Sequence, residues 1–179
     1  MSESFRSIRP KSDEHIAYYS TYIDRVPDGD IVATLESQLG ETLKFLRSIP
    51  ESKLDYRYAP GKWNIKEIVG HLGDGERVFQ YRAWRFSRAD TTPVPGFEEN
   101  DYVANAPFSR MNVNDLISEF EHLRQASIRM LSGMDADAMQ RRGTANDAEI
   151  SVRAIAWILA GHVDHHQEIL RTRYLQNGT

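Results

Sequence analysis

Apolar residues in this chain recur at intervals of three and four, with no convincing stretch of strict alternation, so the period predicts helices rather than strands. Four long segments follow. The first runs from about Asp30 to Ile49, with Ile31, Leu35, Leu39, Leu43 and Leu46 on one stripe, and stops at Pro50. The second opens at Asn64, where Glu67 completes a capping-box pattern, and continues to about Arg88. The third begins at Asn112, with Asp115 in the same box position and Met111 and Leu116 spaced as a hydrophobic staple, and reaches about Leu131 ahead of Gly133. The fourth spans about Ser151 to Tyr174. A shorter amphipathic piece, Glu14 to Ile23, precedes them, and its Tyr18, Tyr19 and Tyr22 are expected to cover a seam rather than to bind a ligand.

Four helices of roughly twenty residues, each with one apolar stripe, can bury those stripes only against one another, so the expected fold is an all-α four-helix bundle. A chain of 179 residues, 40% hydrophobic, suits one domain spanning residues 1–179, and no repeat or linker divides it. The connections are uneven. Ala89 to Arg110 holds three prolines and a glycine, long enough to carry the third helix to the far end of the second and make the two parallel. That crossover lies either across a mouth of the bundle as a lid or on the surface, pinned by Phe97, Tyr102 and Phe108.

Composition removes several functions. A net charge of -4 and the lack of a Lys/Arg-rich block with interleaved aromatics argue against a nucleic-acid partner. No apolar run approaches bilayer length and the first residues lack a secretory h-region, so the expected location is cytoplasmic, with no membrane partner. The absence of cysteine excludes disulfides, iron–sulfur clusters, thiolate metal sites and a cysteine nucleophile. A metal would have to be held by histidine, carboxylate or water, and a reacting thiol would have to come from outside.

Three of the six histidines fall within "GHVDHHQEIL", on the fourth segment. His162 and His166, four apart, stack on one helical face and can aim at one ion; His165 is the competing partner, and periodicity does not choose between them, since His166 leads on to Leu170 and His165 to Ile169. On the second segment the stripe Ile68, His71, Leu72, Phe79, Ala83, Phe86 places His71 toward the core. A lone buried imidazole there would need a carbonyl or a carboxylate such as Glu67 or Asp74. Histidines from two helices facing one interior instead match the way bundles build metal sites, and three imidazoles leave a coordination position open, as in catalytic zinc sites. His15 and His122 read as ordinary polar residues.

The stretch "YAPGKWNIKEIVGHLGDGERVFQYRAWRFSR", followed by "SVRAIAWILAGHVDHHQEILRTRY", resembles the DinB/YfiT-like superfamily of metal-binding four-helix bundles. The resemblance covers nearly the whole chain, and its specificity lies in the tryptophan, the Glu67/His71 pair and the G-H-x-x-H-H block. It implies an up-down-down-up bundle holding a divalent ion, commonly nickel, zinc or a similar ion such as iron or manganese. The ligands it implies are His71, His162 and His166. It further implies a homodimer, for which Trp84 and Trp157, lying off the histidine stripes, are the candidate contacts.

An ion with an open position can activate a bound water or thiol and polarise a substrate oxygen. Characterised members of the superfamily add low-molecular-weight thiols to electrophiles or isomerise with a thiol's help, and many others are named as metal-dependent hydrolases. The resemblance therefore implies a thiol S-transferase or hydrolase acting on a small electrophilic substrate. The alternative is a metal-binding or stress-associated bundle without turnover. Helper residues are few: Glu67 either orients His71 or caps its helix, Asp74 is a candidate to face the ion, Glu76 and Arg77 read as solvent or ion-pair residues, and Asp164 is expected on the surface.

Overall fold

The computed structural model describes residues 4–176; residues 1–3 and 177–179, the two ends of the expected domain, lie outside the described residues. In chain order the helices are α1 (Ser20–Ile23), α2 (Ile31–Arg47), α3 (Ile65–Ser87), α4 (Glu99–Asn105), α5 (Val113–Ser132), α6 (Ala136–Gln140) and α7 (Val152–Ile169), with a hairpin of β1 (Arg142–Ala145) and β2 (Ala148–Ser151) ahead of α7. No helix among the described residues is long and apolar enough to cross a membrane.

The long helices begin where side chains can satisfy free backbone N–H groups. Asp30 accepts from Val32 N at 2.9 Å, Asn112 from Asn114 N at 2.9 Å, and Ser151 from Ala154 N at 2.9 Å. At Asn64 the reciprocal box is complete: its side chain accepts from Glu67 N and the Glu67 carboxylate accepts from Asn64 N, both at 2.8 Å. Asp115 makes no such return bond to Asn112.

Side-chain pairings give the direction of each helix. Gln80 on α3 reaches Leu123 and Ser127 on α5 while Arg77 reaches Glu119, so α3 and α5 run parallel. On α7, His166 meets the level of His71 and His162 the level of Gly75, which makes α3 and α7 antiparallel. Gln38 and Thr42 of α2 meet Ala160 and Gln167 in ascending order, so α2 and α7 are parallel. The bundle is up-down-down-up, with α2 and α3 each packed between α5 and α7.

Three local expectations change. The piece from Glu14 to Ile23 is a 3-10 turn, Ala17–Tyr19, followed by α1, and not one helix. The Ala89 to Arg110 crossover contains α4 and a 3-10 turn, Phe108–Arg110, and Val94 bridges the hairpin through Val94 N to Thr144 O at 3.0 Å and Asn146 N to Val94 O at 3.1 Å. The fourth predicted helix stops being α-helical at Ile169 and ends in a π-helical turn, Leu170–Tyr174. The hairpin itself went unread, because strands of four residues are too short to show alternation and the turn residues Asn146 and Asp147, at φ 53 and 58, adopt the left-handed conformation without a glycine. Trp157 is fully buried and Trp84 is exposed, so only the latter can serve the expected dimer.

Glu14 is a buried residue that its sequence position does not betray. Its carboxylate accepts two hydrogen bonds from Arg153, at 2.5 and 3.0 Å, and one from Ser151 Oγ at 2.7 Å, tying the N-terminal segment to the start of α7. Burial pushes its carboxyl up, but these bonds and the Lys11 N–H outweigh burial and hold it below the ordinary glutamate value. A group depressed in this way stabilises the fold above its ordinary value, and the contribution disappears as pH falls through the lowered one. Urea midpoints measured from neutral to acidic pH are therefore expected to fall more steeply for the parent than for Glu14→Gln, the curves converging in acid.

Candidate metal centre

His71 sits in the second turn of α3, and His162 and His166 lie one turn apart on the facing surface of α7. All three are buried. Their Nε2 atoms converge: His71 to His162 and His166 to His162 are each 3.1 Å, and one ligand atom from each ring lies within 4.8 Å of the others. Nitrogen ligands about 2.0–2.1 Å from an ion stand roughly 3.0 Å apart in octahedral and 3.4 Å apart in tetrahedral coordination, so this spacing suits either.

The electrostatics match. Burial, then for His162 the neighbouring His166 and His71, holds its pKa well below the ordinary histidine value; burial does the same for His166, and brings His71 down to about 4. At neutral pH the rings are uncharged and each carries one N–H. A hydrogen bond between two Nε2 atoms needs one of them to be the donor, so three mutually facing nitrogens leave lone pairs opposed. A cation satisfies all three together, with the protons on Nδ1. The His71 Nδ1 is buried without a hydrogen-bond partner among the described residues.

Local packing enforces this geometry. Gly75, opposite His162, leaves the room the ring occupies: a Cβ there would stand 2.7 Å from its Cε1. Trp63 packs against His71 at 4.7 Å between ring centroids and stacks over His166 at 6.5 Å, while Tyr174 donates to the Trp63 carbonyl at 2.6 Å. Tyr22 meets His162 edge-on at 5.5 Å. The tyrosines thus do more than cover a seam, because Tyr19 and Tyr22 form one wall of a cavity of about 500 Å³ that has the histidines at its base.

His165 lines the cavity, half-buried beside Tyr22, but does not join the convergent set; Ile169 shares its partial exposure, whereas Leu170, one turn beyond His166, is fully buried. Glu67 spends its carboxylate on Asn64 N and on Arg57, at 2.6 and 2.7 Å, and does not orient His71. Asp74 lies in a separate groove between α3, α4 and α5, beside Arg77 and Glu119, because its direction from the α3 axis differs from that of His71. His15 meets the neighbouring Ile16 carbonyl through Nδ1, and His122 is exposed. Asp164 is half-buried rather than on the surface and accepts from Gln38 at 2.8 Å.

The sequence reading missed three residues of this region. Arg82 and Glu99 line the cavity, the first readable in principle as the polar continuation of the 71, 75, 79 face. The third, Arg124, binds Glu76 behind the histidines.

Comparison with known proteins places this arrangement in context. Residues 34–170 match the sequence profile of the DinB superfamily. A protein of Oceanobacillus iheyensis, provisionally named a metal-dependent hydrolase, is 25% identical over 137 residues, covering 75% of this chain and 76% of its own. One from Bacillus cereus with the same provisional name is 20% identical over 136 residues, with 75% and 78% covered. Among solved structures, YfiT from Bacillus subtilis, described as having an unusual four-helix bundle topology, superposes with a TM-score of 0.69 at 17% identity over 92% of this chain and 93% of its own. A mycothiol-dependent maleylpyruvate isomerase superposes with a TM-score of 0.66 at 14% identity, over 88% of this chain and 64% of that one.

Proposed function

This chain belongs to the DinB superfamily, and from that membership we propose that it is a metal-dependent enzyme in which His71, His162 and His166 hold one divalent ion, nickel or zinc before iron or manganese, and a small electrophilic substrate reacts in the cavity above them. The observation that carries this reading is the set of three buried, neutral imidazoles whose Nε2 atoms face one another at the base of an open cavity. Bound there, the ion would supply Lewis acidity and lower the pKa of a water or thiol nucleophile toward neutrality.

The chain's own groups would do the rest. Trp63, Tyr22 and Phe79 surround the imidazoles with aromatic surface and limit the approach of bulk water. Tyr22 has its hydroxyl pKa raised, first by burial and then by its bond to Tyr18, so it stays a neutral phenol, and its single O–H is free for a developing oxyanion when Tyr18 becomes the donor in their mutual bond. Glu99 is the one carboxylate among the described residues lining the cavity and is placed to accept a proton released there.

Hydrolysis is the first form of the reaction, in keeping with the names of the relatives. Thiol transfer is the second, favoured by the structural likeness to a mycothiol-dependent enzyme and requiring an external thiol, since the chain has no cysteine. The deciding experiment measures metal content by elemental analysis. About one ion per chain is expected for the parent and for His165→Ala, and substantially less for His71→Ala; a full complement in His71→Ala defeats the assignment. A panel of esters, amides and electrophiles, each offered with and without glutathione or cysteine, then separates the reactions. Metal binding with no turnover in either arm returns the chain to the class of non-catalytic metal-binding bundles.

A further inference from the structure

Arg82 follows His71, Gly75 and Phe79 along one face of α3 and lines the cavity they border. It is only 4% exposed. Its guanidinium donates to the Pro95 carbonyl at 3.1 Å and lies 5.8 Å from the Phe79 ring centroid, and Tyr19 lines the same cavity beside it. None of these partners carries a full negative charge. No carboxylate among the described residues pairs with it, whereas the other buried arginines, Arg124 and Arg153, each grip a glutamate.

A buried cation without a counter-ion is costly, and a guanidinium has five N–H donors in a planar fork that fits a carboxylate. The position of this fork matters, since it shares a cavity with the convergent histidines. Phe97 and Tyr19 add aromatic surface on which a flat body can lie, and Glu99, also lining the cavity, disfavours a doubly charged ligand. We propose that Arg82, assisted by the Tyr19 hydroxyl, is the recognition site for a monoanionic carboxylate on the substrate, whose unsaturated or aromatic body spans the cavity toward the histidines. That the anion belongs to a substrate rests on the function proposed above; the anion site does not.

The test uses benzoate, its neutral isostere benzamide, and phenyl phosphate, titrated calorimetrically into the full chain, metal-loaded and after chelation. Benzoate is expected to bind roughly ten- to a hundredfold more tightly than benzamide, the range a charge-assisted pair supplies. Arg82→Met should remove that preference while keeping the parent's metal content, and Arg82→Gln supplies the same measurement if the first variant does not fold. Equal binding of benzoate and benzamide, no binding at millimolar concentration, or a preference for benzoate that survives either substitution would overturn the assignment. Tighter binding of phenyl phosphate than of benzoate would also overturn it as a monoanion site. An Arg82-dependent preference in a chain whose histidines hold no metal would remove the metal reading and leave this one standing.

Discussion

Replacing Arg124 by methionine is expected to lower stability by about 3–5 kcal/mol, a drop in Tm of roughly 6–20 °C for a chain of this length. Arg124 is fully buried, and Glu76 beneath it is 2% exposed. Its Nε lies 3.0 Å from both Glu76 oxygens, and one terminal nitrogen donates to Glu76 Oε2 and to the Leu159 carbonyl, each at 2.8 Å. The other donates to Gln38 Oε1 at 2.7 Å. One guanidinium thus joins α5 to α3, α7 and α2. Methionine fills much of the volume but leaves an ionised carboxylate and two acceptors in the core without donors.

The cost lies in the unpaired charge and not in the pair itself, which yields a second arm to the experiment. Arg124→Met combined with Glu76→Leu removes both charges and should recover most of the lost stability, since replacing a buried pair by apolar groups is often neutral or better. Urea melts of the two single variants and the double variant give the coupling directly. A loss below about 1 kcal/mol in the first variant would mean that water reaches Glu76 and that the pair is not a buried one. The network also bears on the histidines. Gln38, held by Arg124, donates to the Ala160 carbonyl at 2.9 Å and to Asp164 at 2.8 Å, on either side of His162 in sequence. The single variant should therefore weaken metal binding beyond what its thermal loss accounts for, and the double variant should recover the fold more fully than the metal affinity.

What could be read from the chain in advance was whatever a single helix encodes locally. Asn64 and Asn112 cap helices where they were expected to, and the first and fourth helices start beside Asp30 and Ser151 as expected, because a helix start needs only backbone two or three residues away. The parallel course of α3 and α5 followed from the length of the crossover between them. The polar groups of the core were a different matter. Glu76 and Arg124 are separated by 48 residues, and Glu14 and Arg153 by 139, and within its own segment each reads as a polar residue facing water. Only tertiary packing brings the members of each pair together. The same holds for His165 and His166: adjacent residues of α7 differ by about 100° around its axis, and it was the docking of α7 against α3 that aimed His166 at His71 and His162. The hairpin was hidden because its short strands show no period and a distant segment braces it, Val94 against Thr144 and Asn146, and α4 because seven residues are too few for a helical period to stand out.

Two glycines on the facing helices make this dependence on packing measurable. A Cβ at Gly161 would fall far inside contact distance of the Tyr22 carbonyl carbon and oxygen, which are backbone and cannot rotate away. Gly161→Ala is expected to cost about 3 kcal/mol in overpacking, against which the roughly 1 kcal/mol that alanine gains in helix propensity is small. Arg9 anchors this segment by donating to the Ile23 and Val26 carbonyls, at 2.9 and 2.6 Å, so α1 can relieve the clash only by straining those bonds and withdrawing Tyr22 from His162. Gly75→Ala meets a different obstacle, the edge of the His162 ring, which can turn. That variant should keep nearly the parent's Tm and lose roughly ten- to a hundredfold in metal affinity, as when a residue that orients a ligand is changed. Thermal melts with competitive metal titration separate the two, since the first substitution acts on the fold and through it on the site, and the second on the site alone. Unchanged metal affinity in Gly75→Ala would mean that His162 does not need its present ring orientation to bind the ion, and the close approach of α3 to α7 would then serve packing only.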